Sequence, residues 1–468
     1  MFRRTAVSLL LLIGLAMATQ TSANDAEPEY PAPPPPQDTS NWGEHIQRSM
    51  KLLATSTPEQ RNKVRILFYG QSITRQDWWL DVVADLRERF PHADIEAENL
   101  AIGGFSSQRL IYSADMDLYP CYPDLLIFHV FGAHDKYEKI ISRTRRYTAA
   151  EVVMLNDHLA ARQDPAKPDK GWSAFMNDEF LPKTAKKYHC RLLDVRGPWR
   201  EYLLENGWES QKLLRDGVHL NEHGCWLMGK LVARPLVYRP ELPEREWADL
   251  VTTYRVGKDV EFEDGRLELN FDGNRVVALA GRSDGPRAKA KVLIDGRPPS
   301  DYPALYNFTR ANVGPDVDWP WDVGAPFKIT SETPPVEEDW TITVTEGGPE
   351  EFHFKIAGSV TGPDGEGVST ERFVSDSGRV VIEPGHWWTR TPGEKSSPLK
   401  PGYELHFECV LLGTDLYEAP RVEDPALEYP TVLAQGMENE VHDLKLVVEG
   451  EGEVPIKAIR VYRPPFRE

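Results

Sequence analysis

Two short motifs, far apart in the chain, contain the residue types of a hydrolytic serine site. The first is GQSIT at residues 70–74. A nucleophilic serine needs a tight turn that exposes its hydroxyl, and the glycine permits such a turn before Ser72. The second motif is DGVH at residues 216–219. Its spacing lets Asp216 bond one imidazole nitrogen of His219 while the other nitrogen faces the serine. Taken alone, Ser72 is equally well explained as a helix cap, and the second motif is better explained as a turn beside a solvated histidine.

Two further motifs between them have the composition of an oxyanion site. NLAIGG occupies residues 99–104, and GAHD occupies residues 132–135. Backbone N–H groups at a glycine-rich strand end stabilise an oxyanion, and a polar side chain in the neighbouring loop adds a further donor. The alternative is that both segments are ordinary turns between a strand and a helix.

A third group of polar side chains lies in residues 128–138 (FHVFGAHDKYE), which we predict to be a loop, and in residues 156–158 (NDH). Histidines, a lysine and carboxylates that converge on one edge favour a polar pocket, which suits a sugar better than an acyl chain. We predict substrate contacts for Gln71, His129, Asp135, Asp157 and His158. A metal site is the alternative for His129, His134, Asp135 and His158. No compact ligand motif is present in the sequence, so we expect neither a metal nor another cofactor.

Strands that alternate with helices position these motifs. Short apolar runs typical of buried parallel strands occupy residues 64–69, 95–101, 124–130, 152–155 and 190–195. Helical spacing occupies residues 42–53, 76–90, 107–114, 172–186, 199–206 and 220–236. Strands separated by helices of this length imply right-handed crossovers and a doubly wound parallel sheet. The motifs lie at the carboxyl ends of predicted strands, the edge at which open parallel sheets bind ligands.

Taken together, the four motifs resemble the SGNH (GDSL-like) hydrolase superfamily in residue type, order and strand position over residues 64–236. The resemblance implies a three-layer α/β/α, flavodoxin-like fold with a parallel sheet. It also implies that Ser72 is the nucleophile, that His219 is the general base and that Asp216 orients this base. The amides of Ser72 and Gly104 would then hold the oxyanion.

Two positions depart from the family pattern. Gln71 stands where the family has an aspartate, and the resulting Gly-Gln-Ser form is similar to that of carbohydrate acetylesterases of the sialate O-acetylesterase kind. His134 stands where an asparagine is expected. Its ring donates an N–H to an oxyanion only in the right tautomer or when protonated. We interpret His134 as a substitute oxyanion donor, and the alternative is that the chemistry of the site differs.

The N-terminal residues and the composition favour an exported protein. Residues 1–23 have two arginines, an apolar run and small residues at a cleavage site, the pattern of a signal peptide, which predicts a secreted or periplasmic location. The apolar run is too short to span a membrane. Residues 24–45 are predicted to be a proline-rich, extended linker. The net charge of −19 gives no support for nucleic-acid binding, which needs a basic face. The four cysteines match no metal-site pattern, and free thiols are at least as well supported as disulfides.

The rest of the sequence divides near residue 242. We assign residues 46–242 to the hydrolase domain and residues 243–468 to one or two β-rich domains. The second region has short alternating stretches between Gly, Pro and Asp residues, which predicts antiparallel sheet in a β-sandwich. The predicted strands are residues 265–271, 292–294, 340–344, 352–356, 379–382 and 405–411. The tryptophans of residues 319–321 (WPW) and 386–388 (HWW) are interpreted as core, with stacking on sugar rings as the alternative.

These observations predict a secreted serine esterase that removes O-acetyl groups from a polysaccharide or oligosaccharide. One alternative is a glycan-cleaving enzyme on the same fold, which would use carboxylates such as Asp135, Glu138 or Asp216. A second is a lipase or lysophospholipase with the same serine, and a third is a glycan-binding protein without activity. The expected partner is a carbohydrate ester, with no nucleic acid and no membrane. The sequence predicts no particular oligomeric state.

Overall fold

The computed structural model describes residues 30–243, 249–314, 317–348, 351–388 and 399–467. The predicted signal peptide, residues 1–23, and the first part of the predicted linker, residues 24–29, lie outside the described residues. The later part of that linker contacts the fold: Arg234 donates to the Pro34 carbonyl at 2.9 Å. Within the described ranges, no helix is both long and apolar enough to cross a membrane.

A parallel sheet with helices on both faces forms the first part of the described chain. Its strands are β1 (Lys63–Gly70), β2 (Asp94–Asn99), β3 (Leu125–His129), β4 (Glu151–Leu155) and β5 (Arg191–Leu193). Its helices are α1 (Gln47–Ala54), α2 (Ser72–Arg75), α3 (Trp78–Arg89), α4 (Ser107–Ser113), α5 (Leu118–Cys121), α6 (His134–Tyr147), α7 (Trp172–Ala174), α8 (Leu181–Tyr188), α9 (Arg196–Glu205) and α10 (Glu222–Ala233), with a π-helical segment at Phe175–Phe180. The parallel strands have the order β2-β1-β3-β4-β5, which is the flavodoxin-like order. The predicted α/β fold with a parallel sheet is confirmed.

Both faces of this sheet are buried, because successive residues of a strand point to opposite sides. Ile66 and Phe68 of β1 belong to one core, which also contains residues of α1, α3, α9 and α10. Leu67 and Tyr69 belong to the other core, with residues of α4, α6 and α8. The strand is thus held on both sides, and its carboxyl end is a rigid base for the turn that follows.

Helix α6 is the main difference from the sequence prediction in this part. We predicted a loop over residues 128–138, but β3 ends at His129 and α6 begins at His134. The sequence of α6 is mostly charged, which obscured its apolar stripe. The buried residues of this helix recur at helical spacing: Tyr137, Ile140, Ile141 and Thr144.

Antiparallel sheets form the described chain from residue 251 onward. The strands are β6 (Val251–Arg255), β7 (Arg266–Ala280), β8 (Lys289–Ile294), β9 (Tyr306–Phe308), β10 (Glu338–Glu346), β11 (His353–Gly358), β12 (Gly362–Val368), β13 (Phe373–Val374), β14 (Val381–Ile382), β15 (Glu404–Leu411), β16 (Leu416–Tyr417), β17 (Pro430–Glu449) and β18 (Ile456–Tyr462). One sheet has the order β16-β8-β17-β7-β18-β6, a second has the order β12-β11-β10-β15-β9, and β13 pairs with β14. The predicted β-rich region is confirmed, although β7 extends well beyond residues 265–271 and β17 was not predicted.

The second of these sheets shares its core with one face of the α/β part. Trp340 of β10 lies in the same buried cluster as Phe105, which precedes α4. The ring of Phe105 lies 5.6 Å from Phe327 and 5.2 Å from Trp388. Trp319, Trp387 and Trp388 are buried, in agreement with the interpretation of these tryptophans as core. All four cysteines, Cys121, Cys190, Cys225 and Cys409, are free thiols.

Candidate active site

Ser72 begins helix α2, directly after β1, in a turn that only glycine permits at position 70. A Cβ on Gly70 would lie 2.0 Å from the His129 carbonyl oxygen, at the end of the neighbouring strand β3. The same carbonyl accepts a hydrogen bond from Thr74 Oγ1 at 3.0 Å. The close approach of the ends of β1 and β3 therefore fixes the position of Ser72 at the edge of the sheet.

The two distant motifs meet at this turn. His219 Nε2 lies 2.9 Å from Ser72 Oγ, and His219 Nδ1 lies 2.8 Å from Asp216 Oδ2. An ionised carboxylate only accepts hydrogen bonds, so the proton of the neutral ring is on Nδ1 and Nε2 is free to accept the serine proton. This is the arrangement of a nucleophile, its base and the group that orients the base.

Asp216 is held in its ionised form by the loop that it closes. Its Oδ1 accepts the backbone N–H groups of His219 at 2.8 Å and of Val218 at 2.9 Å, in addition to the ring bond of Oδ2. These backbone hydrogen bonds, and then the His219 side chain, hold the pKa of the Asp216 carboxyl well below its usual range. The carboxylate therefore stays charged beside the imidazole at neutral and mildly acidic pH.

Every backbone polar group of residues 218–220 has a partner. The bonds to Asp216 occupy two N–H groups, and the remaining partners come from three other residues. His158 Nε2 contacts the Val218 carbonyl at 2.7 Å, and the Arg215 N–H donates to the His219 carbonyl at 2.8 Å. The Gln76 side-chain amide binds Leu220 twice, at 2.9 Å to its N–H and at 2.8 Å to its carbonyl. The loop that carries His219 is thus fixed on both sides of that residue.

His158 acts on this loop as a neutral hydrogen-bond donor. A carbonyl only accepts, so His158 Nε2 carries the proton in its bond to Val218. Burial lowers the pKa of His158 to about 3, which keeps the ring uncharged over the pH range in which proteins are stable. Its carbonyl accepts from Arg196 Nη1 at 2.7 Å.

The NLAIGG segment lies beside the serine turn. Asn99 Nδ2 donates to the Thr74 carbonyl at 2.7 Å, and Asn99 Oδ1 accepts from Ala101 N at 3.0 Å. Gly104 has φ of 71°, a conformation that favours glycine. Its N–H has no acceptor among the described residues, and Ser72, as the first residue of α2, has an N–H that no intrahelical bond uses. The two amides are therefore open to an oxyanion.

The β-rich region contributes a side chain to this segment. Trp321 Nε1 donates to the Gly103 carbonyl at 2.9 Å, and a Cβ on Gly104 would lie 2.5 Å from the Trp321 ring. Arg310 donates to the Leu100 carbonyl at 2.9 Å. Trp321 is half-buried, unlike the core tryptophans near it. The conformation of residues 100–104 thus depends on residues more than 200 positions further along the chain.

The α/β part carries the motifs that resemble those of the SGNH/GDSL-like hydrolases. Its strand order is flavodoxin-like, and the GQSIT, NLAIGG and DGVH motifs meet at one edge of the sheet. No protein-family model matches the chain, and no curated protein matches its sequence.

Several solved structures are similar to this chain. One is a two-domain esterase (CEX) active on acetylated mannans, co-crystallised with mannopentaose, which is 13% identical over 90% of this chain and 95% of that chain, with a TM-score of 0.35. An acetyl xylan esterase, AlAXEase, is 19% identical over 37% of this chain and 100% of that chain, with a TM-score of 0.33. An acetylxylan esterase from Geobacillus stearothermophilus is 14% identical over 39% of this chain and 98% of that chain, with a TM-score of 0.33. These similarities concern the fold alone.

His134, which we predicted to be an oxyanion donor, lies in an aromatic cluster. Its ring packs 4.6 Å from Phe180, 5.0 Å from Phe175 and 5.8 Å from Trp172, measured between centroids. Its Nε2 is buried and has no hydrogen-bond partner within the described part of the chain. No hydrogen bond among the described residues joins this ring to Ser72, so the oxyanion role of His134 stays a prediction.

The residues predicted to contact a substrate fall into two groups. His129, Asp157 and His158 are buried, and His129 Nε2 bonds Asp157 Oδ1 at 2.7 Å, with burial raising the pKa of Asp157. Their side chains bond within the protein, and for these three, too, substrate contact stays a prediction. Gln71 is half-buried and Asp135 is exposed at the start of α6. For these two, substrate contact stays a prediction.

Sequence reasoning missed the contributions of Gln76 and Trp321. Gln76 lies four positions after Ser72, and its amide contacts the loop of His219. A signal existed for Gln76, because a polar side chain one helical turn beyond a nucleophile lies on the same side of the chain. For Trp321 there was no local signal, since its partner glycines are distant in sequence.

Proposed function

We propose that this protein is a carbohydrate acetylesterase that uses Ser72, His219 and Asp216 as a catalytic triad. The observation that carries the proposal is the continuous chain of contacts from Ser72 Oγ through the imidazole to the Asp216 carboxylate, at 2.9 Å and 2.8 Å. The Gly-Gln-Ser form of the first motif and the half-buried Trp321 beside the oxyanion segment support a sugar ester as the substrate. The N-terminal sequence supports export, so the substrate would be an extracellular or periplasmic glycan.

The geometry supports a two-step hydrolysis. In the first step, His219 Nε2 takes the hydroxyl proton while Ser72 Oγ attacks the acetyl carbonyl carbon. The resulting oxyanion is held by the N–H groups of Ser72 and Gly104. The C–O bond to the sugar breaks as His219 returns its proton to the sugar oxygen. In the second step a water molecule gives a proton to His219 and attacks the acetyl carbon. The bond between this carbon and Ser72 Oγ breaks, acetate is released, and His219 passes the proton to Ser72 Oγ.

Measurement of both possible products tests this proposal. The full chain is incubated with acetylated xylan and acetylated mannan and with the same polymers after chemical deacetylation. Acetate and new reducing ends are quantified. The matched control is the same enzyme after treatment with a fluorophosphonate, with the labelled residue located by peptide mass spectrometry. We expect acetate from the acetylated polymers, no new reducing ends, labelling at Ser72 and loss of acetate release after labelling.

Each alternative predicts a different outcome. New reducing ends without acetate would indicate a glycan-cleaving enzyme and would contradict the proposal. Hydrolysis of long-chain acyl esters in preference to acetylated glycans would indicate a lipase. Glycan binding with neither product and without labelling of Ser72 would indicate a binding protein.

Gln76 provides a test of how the His219 loop is positioned. Replacement Gln76→Met keeps the side-chain length but leaves the N–H and the carbonyl of Leu220 without their partners. We expect kcat on a small acetyl ester to fall about 10- to 100-fold with KM little changed, because a small displacement of the base weakens proton transfer more than binding. Gln60, an exposed glutamine, supplies the control Gln60→Met, for which we expect wild-type kcat. An equal loss in both variants would contradict a positioning role for Gln76.

A further inference from the structure

A pocket of about 190 Å³ lies where the amino ends of the parallel strands meet the six-stranded antiparallel sheet. Five cationic side chains line it: Arg48, Lys63, Arg65, Arg275 and Arg460. Strand β1 begins at this pocket with Lys63 and ends at Gly70, next to the serine turn. At a rise of about 3.3 Å per residue, the pocket is roughly 20 Å from the candidate triad. It is therefore a separate site.

Arg275 is clamped between two tyrosine rings. Its guanidinium carbon lies 4.6 Å from the centroid of Tyr122, in the α/β part, and 4.6 Å from the centroid of Tyr462, in β18. The residue is 8% exposed. Rings that stack on the guanidinium cover its flat faces, so its in-plane N–H groups are the donors that remain available.

These donors have no acceptor in the described part of the chain. The Arg275 side chain takes part in no hydrogen bond or ion pair there, and its Nε is buried without a partner. The nearby Asp124 is already used, because its Oδ1 accepts from Arg48 at 2.8 Å and its Oδ2 accepts from the Arg65 N–H at 2.9 Å. The Tyr122 hydroxyl is the donor in its hydrogen bond to Asn274 Oδ1.

The other four cations of the pocket each have a carboxylate partner. The pairs are Arg48 with Asp124 at 2.8 Å, Lys63 with Asp94 at 3.2 Å, Arg65 with Glu96 at 3.5 Å and Arg460 with Glu428 at 2.7 Å. Arg275 thus differs from its neighbours. Arg275 interacts with Asp124 through charge alone. A buried guanidinium whose N–H groups lack acceptors is costly, and that cost is reduced when an anion binds it with good geometry.

We propose that this pocket binds a small oxyanion, a phosphate, sulfate or carboxylate group, with Arg275 as its main ligand. The planar fork of a guanidinium matches two oxygens of such a group, and the two tyrosine rings hold that fork in place before the ligand arrives. The pocket, of about 190 Å³, has room for such a group. Tyr122 and Tyr462 come from the α/β part and from β18, so a bound anion would join the two parts of the fold.

Thermal unfolding and calorimetric titration of the full chain test this proposal. The probes are sodium phosphate, sodium sulfate and sodium glucuronate, each at constant ionic strength maintained with sodium chloride. The variants are Arg275→Met and, as a matched control, Arg297→Met. Arg297 is also stacked on a tyrosine, with its guanidinium carbon 4.3 Å from the Tyr302 centroid, but it is exposed and lies away from the pocket.

For the wild type we expect saturable binding of at least one of the three anions and a Tm that rises with its concentration. We expect Arg275→Met to weaken that binding about 10- to 100-fold and Arg297→Met to leave it unchanged. Should Arg275→Met fail to fold, Arg275→Lys keeps the charge but lacks the fork, and at least a 10-fold weaker binding is expected. The anion with the highest affinity distinguishes a phosphate or sulfate ligand from a carboxylate of an acidic sugar.

Two results would overturn the proposal. One is wild-type protein that binds none of the three anions beyond the sodium chloride control. The other is an Arg275 variant that folds and binds as tightly as the wild type. Neither result depends on the esterase activity, since the Ser72→Ala protein serves equally well for these measurements.

Discussion

Replacement of Ser72 by alanine should lower kcat on a small acetyl ester by at least about 10⁵-fold. In the proposed mechanism the hydroxyl oxygen forms the acetyl-enzyme, and this oxygen lies 2.9 Å from His219 Nε2. Without it, His219 can still activate water, but the covalent step is lost. The remaining rate would come from the oxyanion donors and from substrate binding.

The fold of the Ser72→Ala protein should be unchanged, because the serine side chain is half-buried and its hydroxyl bonds, among the described residues, only to His219. Circular dichroism and urea unfolding check this point. The matched control is Ser283→Ala, at a half-buried serine in a turn of the β-rich region. We expect full activity for this control. Undiminished hydrolysis by Ser72→Ala would refute the assignment of the nucleophile.

Replacement of Asp216 by asparagine should lower kcat by about 10⁴-fold with little change in KM. Asparagine has the same shape, and its oxygen can still accept the N–H groups of Val218 and His219 that Oδ1 accepts now. It cannot supply the negative charge that stabilises the imidazolium, and its NH₂ group would face His219 Nδ1. The ring is then driven to the tautomer whose Nε2 carries a proton and cannot accept one from Ser72.

Because its pKa is lowered, the Asp216 carboxylate is not protonated in mild acid. A carboxyl with a lowered pKa remains ionised as the pH falls through the usual carboxyl range, so protonation of Asp216 does not limit the wild type there. The pH profile of the wild-type kcat should therefore show no loss from protonation of Asp216 between neutral and mildly acidic pH. The control Asp259→Asn changes an exposed aspartate that also accepts a backbone N–H, from Arg255 at 2.9 Å, and should leave kcat unchanged. A variant Asp216→Asn with more than a tenth of the wild-type kcat would contradict the role of the carboxylate.

Local spacing and strand order were enough to predict part of the candidate site from the sequence. The separation of Asp216 and His219 allows their contact within one loop, and Ser72 follows an apolar strand. The carboxyl ends of parallel strands converge on one edge, so motifs placed after strands were expected to meet. The five parallel strands were predicted for the same reason, because buried strands have a strong apolar signal.

Elements with a weak apolar signal were predicted less well. Helix α6 is mostly charged and packs by a narrow stripe, so we predicted a loop where it begins. Strand β7 alternates buried with exposed positions only in its first half, and β17 contains Gly436, at φ of 102°, within the second of its two register shifts. Interruptions of this kind hide a continuous strand from a short sequence window.

By itself, then, the sequence predicted the nucleophile, the base and the orienting carboxylate, because the prediction of each rests on residues near one another in the chain or on the ends of strongly apolar strands. Only the tertiary structure decided how they are held. Gln76 and His158 fix the loop of His219, and Trp321 shapes the oxyanion segment. Arg275 lies between two rings from different parts of the fold, and in the described ranges no carboxylate bonds its guanidinium. These contacts join residues that are distant in sequence. A single long-range contact produces no periodicity or local spacing in the sequence, so it cannot be predicted from the sequence alone.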